Sequence, residues 1–328
     1  MLVPTLDDLL TTLRVVSIPM RVPFRGVTTR EVALLEGPCG WGEFGPFLEY
    51  EPHEASRWLA AAIEAAWIGW PAPQRSEIPV NATVPAVPAG VVARVLTRFP
   101  GCTTAKVKVA ERGQRLEDDV ARVAEVRGAM GSWARVRVDA NGGWSVDDAL
   151  RALSRLAPYG IEYAEQPCAT VEELRDLRIA LVRGGIDVPI AADESIRKAE
   201  DPLRVRDLEA ADIIVVKVAP LGGVRSALRI VQECGLPAVV SSALDTSVGI
   251  SAGAALAAAL PVLEHACGLG TVALLEGDVS AHPLIPREGV IPVGPVGVDP
   301  SLVARWSATP DRAAWWADRV GAAHAGLV

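Results

Sequence analysis

Arg135-Val136-Arg137-Val138-Asp139-Ala140-Asn141 is followed, one unit further on, by Ile161-Glu162-Tyr163-Ala164-Glu165-Gln166. Each run is short and carries a carboxylate near its end. Between them lies a segment with helical periodicity, with Val146, Leu150 and Leu153 on one face. Strand, helix and strand ending in the same chemistry describe a βαβ unit, whose strands are parallel. Working outward, the alternation repeats. Residues 78–84, 104–110, 188–193, 213–218 and 238–243 read as further strands, several of them almost continuously apolar, as strands covered on both faces must be. Leu116/Val120/Val123, Val171/Leu174/Leu177 and Val224/Leu228/Val231 mark helices between them, Thr170 with Glu173 forms a capping box, and Gly235 is a helix stop.

Seven such units in sequence predict a TIM-like (β/α)7β barrel rather than an open sheet. We place the barrel at 78–284. Residues 1–77 differ: a strand-like stretch at 30–36, the turn Gly40-Trp41-Gly42-Glu43 and an Ala-rich helix at 54–67 predict an α+β capping domain. Residues 285–328 are expected to pack back on the cap and barrel. Pro23 and Gly26, between strand-like runs, predict a mobile loop at 20–30 closing over the barrel mouth.

The chain has 328 residues, half of them apolar, and a formal net charge of −8. That balance disfavours nucleic acid. The longest largely apolar stretch, 250–263, is too short to cross a bilayer and reads as a buried helix. Asp7 and Asp8 stand where a secretion signal would carry positive charge. Five scattered cysteines without a CxxC spacing predict reduced thiols and a cytoplasmic setting. No feature of the sequence specifies a subunit interface.

Of the 32 Lys plus Arg residues only four are lysine: Lys106, Lys108, Lys198 and Lys217. Arginine stays protonated, whereas a buried lysine can act as a base, so the persisting lysines are candidates for chemistry. Lys106 and Lys108, two apart on one strand, share a face. Their mutual repulsion would depress one pKa and create a general base; the competing reading is a solvated pair on an edge strand. Asp139, Glu165 and Asp193 end consecutive strands, 26 and 28 residues apart. Alone, each reads as a loop acid or helix cap. In phase, they predict a hard-oxygen site for Mg²⁺, with Mn²⁺ as a substitute. Lys217, 24 residues beyond Asp193, ends the next strand and should lie across the barrel from Lys108. A base, a metal and a second cation together suit enolate chemistry. Arg137 shares the face of Asp139 and requires an unidentified partner, while Lys198 reads as surface.

Lys106-x-Lys108, Asp139-Ala140-Asn141, Glu165-Gln166-Pro167, Asp193-Glu194-Ser195 and Lys217 resemble, in order and spacing, the muconate-lactonizing subgroup of the enolase superfamily. Gly40-Trp41-Gly42-Glu43 is similar to that subgroup's capping domain. Within it, Ser241 to Gly249 and Gly268-Leu269-Gly270-Thr271 most resemble the dehydrating members. The resemblance implies a small carboxylate substrate, with Lys108 as the base that removes the α-proton and returns it to a departing hydroxyl. Lys106 would tune Lys108, and Lys217 would stabilise the enolate. Asp139, Glu165 and Asp193 would hold Mg²⁺, supported by Asn141 and Glu194. Arg25, Ser241, Ser242, Gly268 and Gly270 are candidate substrate contacts. Asp245 stands where relatives often carry Glu. The alternatives are N-acylamino acid racemisation, which would use Lys108 and Lys217 on opposite faces, and a barrel that only binds ligand. Dipeptide epimerisation is disfavoured, because 265–270 lacks an Asp-x-Asp pair.

Overall fold

The computed structural model describes residues 4–24, 26–197 and 202–327, which leaves Arg25 and Lys198 outside the described residues. A short helix, Leu6–Thr12, precedes three antiparallel strands, β1 (Arg14–Phe24), β2 (Val27–Gly37) and β3 (Gly40–Phe44). After β4 (Glu77–Pro79) seven parallel strands follow in spatial order of sequence: β5 (Ala82–Val84), β6 (Thr104–Lys108), β7 (Arg135–Asp139), β8 (Ile161–Glu165), β9 (Ile190–Ala192), β10 (Ile213–Val216) and β11 (Ala238–Val240). β12 (Val290–Pro292) returns to pair with β4.

The sheet closes through a stretch too short to count as a strand. The Gly268 amide donates to the Val240 carbonyl (2.8 Å), and Cys267 exchanges hydrogen bonds with Pro79 (2.7 Å) and Asn81 (2.9 Å). Parallel bridges Ser241–Gly268 and Val80–Cys267 make residues 267–268 the eighth stave between β11 and β5. The barrel therefore has no open edge. The run expected at 78–84 divides in two, because its first half pairs outward with β12 and its second half joins the barrel.

Local chemistry explains the element ends. Ser145 and Thr170 cap the helices that begin at Val146 and Val171, and Gly235 ends helix Val224–Cys234 in the left-handed region at φ 67°. Strands β6 and β10 are buried along their whole length, as both-face coverage requires. Helix Ser247–Ala259 is apolar all round and buried. Among the described residues, no helix is long and apolar enough to cross a membrane.

A separate apolar cluster joins the three-stranded sheet to helix Pro52–Ile63 and helix Pro310–His324, through Leu9, Phe44, Trp58, Leu59, Trp316 and Val320. Phe44 meets Trp316 edge-on at 5.9 Å. Residues 20–30 are not the loop expected from Pro23 and Gly26. They are mostly strand, because β1 and β2 run on to a hairpin turn at Gly26, φ 76°.

Candidate active site

Parallel strands project their last inward side chains to one rim. β6 brings Lys106 and Lys108 there, both buried, with Val107 on the opposite face. β7 brings Asp139 and β8 brings Glu165, which are direct neighbours in register. Asp193 follows β9 and Lys217 follows β10. In a ring of eight, β6 and β10 occupy the second and sixth places, so Lys108 and Lys217 face each other. A cavity of about 130 Å³ lies between them, lined also by Lys106, Asp139, Asn141 and Asp193. Apolar walls come from Phe24 and Val27 of the hairpin, Phe47, Trp58 and Leu244.

The backbone is strained around this rim. Of six non-glycine residues with positive φ among those described, Ala110, Asn141, Gln166 and Leu244 follow closely on barrel strands β6, β7, β8 and β11. Such conformations persist where the surroundings impose them, often at functional sites.

The ammonium groups and carboxylates are interlocked. Lys106 Nζ donates to both oxygens of Glu165 (2.7 and 2.8 Å) and lies 3.2 Å from Asp139. Lys108 Nζ donates to Asp139 and to Asn141 Oδ1 (2.7 Å), and Lys217 Nζ donates to Asp193. The expected depression of a lysine pKa by its neighbour is therefore not found at Lys106. Burial works against its charge, but Glu165 and Asp139 outweigh burial and hold its pKa above the ordinary value. Glu165 feels the charges of both Asp139 and Asp193. Among the described residues, no three His, Cys, Asp or Glu side chains form a group that could hold a metal ion. Asp139 and Glu165 share Lys106, and Asp193 takes Lys217.

The donor set nonetheless fits a hard divalent cation. Burial, and then the neighbouring Asp139 charge, push Glu165 up to about 7. Asp139 is held below the usual carboxylate range, because the two lysines more than offset its burial. Further positive charge would relieve the repulsion among the acids. The candidate ligands are all carboxylate oxygens, which suit Mg²⁺ better than zinc.

Asn141 links Lys108 to Glu194 Oε1 (3.3 Å). Ser241, Ser242 and Gly268 line the cavity, and Ser242 Oγ bonds the Gly268 carbonyl (2.7 Å) and Thr271 Oγ1 (2.9 Å). Gly270 does not line it. A Cβ there would lie 3.1 Å from the Asn81 carbonyl oxygen and 3.2 Å from Phe99, so this glycine serves close packing. Arg137 finds its partner in Glu162 (2.5 Å), which also accepts from Arg135 and contacts His265 Nδ1 (3.1 Å).

Residues 15–66 match the enolase N-terminal domain-like family, and residues 91–298 match the enolase C-terminal domain-like family. An o-succinylbenzoate synthase of Mycolicibacterium smegmatis is 60% identical over 98% of both chains. One from Thermobifida fusca is 58% identical over 95% of this chain and 96% of its own. The chain belongs to the o-succinylbenzoate synthase family of the enolase superfamily. Its fold matches the solved muconate lactonizing enzyme of Pseudomonas putida (TM-score 0.73, 22% identity, 90% of this chain and 98% of that one). It also matches the L-Ala-D/L-Glu epimerase of Bacillus subtilis (TM-score 0.72, 24% identity, 87% and 96%).

Gln166, quoted above only as part of Glu165-Gln166-Pro167, has a role at the site that the sequence did not reveal. Its buried Oε1 accepts from the Asp193 (2.9 Å) and Ser195 (3.2 Å) amides, and its Nε2 donates to the Cys168 carbonyl (2.9 Å) and Ser195 Oγ (2.8 Å). It ties the end of β8 to the end of β9 and so orients Asp193. The only sequence signal was its place directly after Glu165. The walls Phe24, Phe47, Trp58 and Leu244 were also missed, because isolated apolar residues on strands, loops and helices look like ordinary core.

Proposed function

We propose that this chain catalyses the Mg²⁺-dependent syn-dehydration of 2-succinyl-6-hydroxy-2,4-cyclohexadiene-1-carboxylate to o-succinylbenzoate, as a cytoplasmic enzyme of menaquinone biosynthesis. It is a carbon–oxygen lyase. The observation that carries this reading is the near full-length identity to o-succinylbenzoate synthases, 60% and 58% in two of them. The racemase alternative is not favoured by those relatives.

Lys108 is placed to take the proton from the ring carbon that bears the carboxylate. The C–H electron pair moves into that carboxylate as an enolate. Lys217, on the opposite side of the cavity, sets a positive charge against it. The enolate electrons then form a new ring double bond to the carbon bearing the hydroxyl as its C–O bond breaks. Lys108 returns its proton to that oxygen, and water leaves with the ring aromatic. One lysine on one face accounts for both transfers.

Asn141 Oδ1 holds the Lys108 ammonium and leaves it aimed at the cavity. The Phe24 ring, 5.2 Å from Lys108 Nζ, shields the base from water. Asp139, Glu165 and Asp193 are the residues that would hold the divalent cation, which supplies positive charge for the developing enolate. Phe24 and Val27, at the facing ends of β1 and β2, cover the cavity. The five free cysteines support a reducing compartment.

The test is turnover. Purified protein with Mg²⁺ should convert the cyclohexadiene to o-succinylbenzoate, followed by loss of the diene absorbance. Absence of turnover, together with racemisation of N-acylated amino acids, would reject the dehydratase in favour of the racemase.

A further inference from the structure

Arg30 lies on β2, outside every motif described above, and is buried. A buried guanidinium must have its donors satisfied. Its directional bonds go to backbone carbonyls. Nε donates to Leu244 (3.1 Å), Nη1 to Glu31 (3.4 Å) and Nη2 to Gly45. Asp245, the nearest carboxylate, is further off at 3.9 Å. The guanidinium also lies over the Phe47 ring, 4.7 Å from its centroid.

Two of these partners carry the cavity walls. Leu244 belongs to the loop after β11, which also bears Ser241 and Ser242, and it lines the cavity in a left-handed conformation at φ 63°. A leucine does not hold that conformation unaided. Phe47 lines the cavity from the segment after β3. The path of that segment is shaped around Arg30, since a Cβ on Gly45 would lie 2.7 Å from Nη2.

We infer that Arg30 is a positioning residue for substrate binding, one guanidinium that fixes the barrel wall through the Leu244 carbonyl and the capping wall through the Gly45 carbonyl and the Phe47 ring. Its hydrogen bonds go to neither the lysines nor Asp139, Glu165 or Asp193, so it sets the shape of the cavity without entering the proton transfers. Lysine cannot replace it. A single ammonium lacks the planar fork that reaches carbonyls on two separate segments while stacking on an aromatic ring. The substrate involved is the carboxylate of the proposed function, and the inference rests on that reading.

The experiment compares Arg30→Lys, Arg30→Met, Phe47→Ala and the Arg30→Met/Phe47→Ala double variant with the unaltered protein. Steady-state dehydration, half-saturating Mg²⁺ and calorimetric binding of o-succinylbenzoate are measured on each. Loss of the clamp should raise KM and weaken o-succinylbenzoate binding on the order of 10- to 100-fold. The pH profile of kcat and the half-saturating Mg²⁺ should not move. The double variant should be no worse than the more damaged single variant, as expected of residues that act through one another. Arg30→Lys, which keeps the charge and the best chance of folding, should show the same KM defect. Folded Arg30→Lys with unaltered KM and unaltered o-succinylbenzoate binding overturns the inference, whatever happens to Tm. So does strict additivity in the double variant. If the unaltered protein binds o-succinylbenzoate but does not dehydrate, the functional reading fails while the calorimetric comparison still decides the role of Arg30.

Discussion

Gln166→Met retains side-chain length and the positive φ of this position, 38°, while removing every hydrogen bond of the amide. Two buried backbone donors, the amides of Asp193 and Ser195, then lose their acceptor, as do the Cys168 carbonyl and Ser195 hydroxyl their donor. An orphaned buried polar group costs about 1–3 kcal/mol. The two amides alone therefore predict a loss of about 2–6 kcal/mol in unfolding free energy. The functional consequence follows from geometry, since this amide fixes the Asp193 backbone to the end of β8. A residue that orients a metal ligand is worth about 10–100-fold in metal affinity. Urea unfolding at neutral pH gives the first quantity, and Mg²⁺ titration of activity gives the second. A variant with unchanged stability and unchanged half-saturating Mg²⁺ would refute the assignment of Gln166 as the link between β8 and Asp193.

Lys108→Arg should lower dehydration by a factor of about 10²–10⁴, because no base remains on that face. Lys217→Arg keeps a cation and should retain weak dehydration, with loss of any α-proton exchange from its side in deuterated solvent. Chelation should abolish turnover, and Mg²⁺ or Mn²⁺ should restore it better than zinc, as activity assays on dialysed protein will report. Burial, and then the Asp245 charge, raise Glu43 from 4.5 to about 8 where it accepts from Thr246 and Gly249. The folded state thus holds a proton that the unfolded chain has released. The associated stability is fully present below pH 4.5 and is lost as pH rises through about 8. Glu43→Gln should remove that part of the slope in denaturant unfolding measured between pH 5 and 9.

The barrel built from repeated βα units, the lysine pair, the three strand-end acids and Lys217 were legible in the sequence. Period-two alternation and the regular spacing of βα units place side chains on a rim without knowledge of packing. The eighth stave was not legible as a strand, because Cys267 and Gly268 owe their place to partners 187 and 27 residues away, Val80 and Ser241. The hairpin at 20–30 was read as a loop for a related reason, since pairing between β1 and β2 overrides the local signals of Pro23 and Gly26. Charge state, too, was decided only in three dimensions. Two neighbouring lysines predict that one pKa is depressed, but at Lys106 the folded chain sets Glu165 and Asp139 against burial and raises it. Arg30 carries no motif, Gln166 and Glu43 sit in motifs that assign them no role, and all three act through contacts between segments distant in sequence. Sequence by itself determined which chemical groups reach the rim, because strand geometry is local. Tertiary structure alone decided which of them touch and what shapes the cavity around them, because those are properties of distance, and distance is set only when the whole chain has closed.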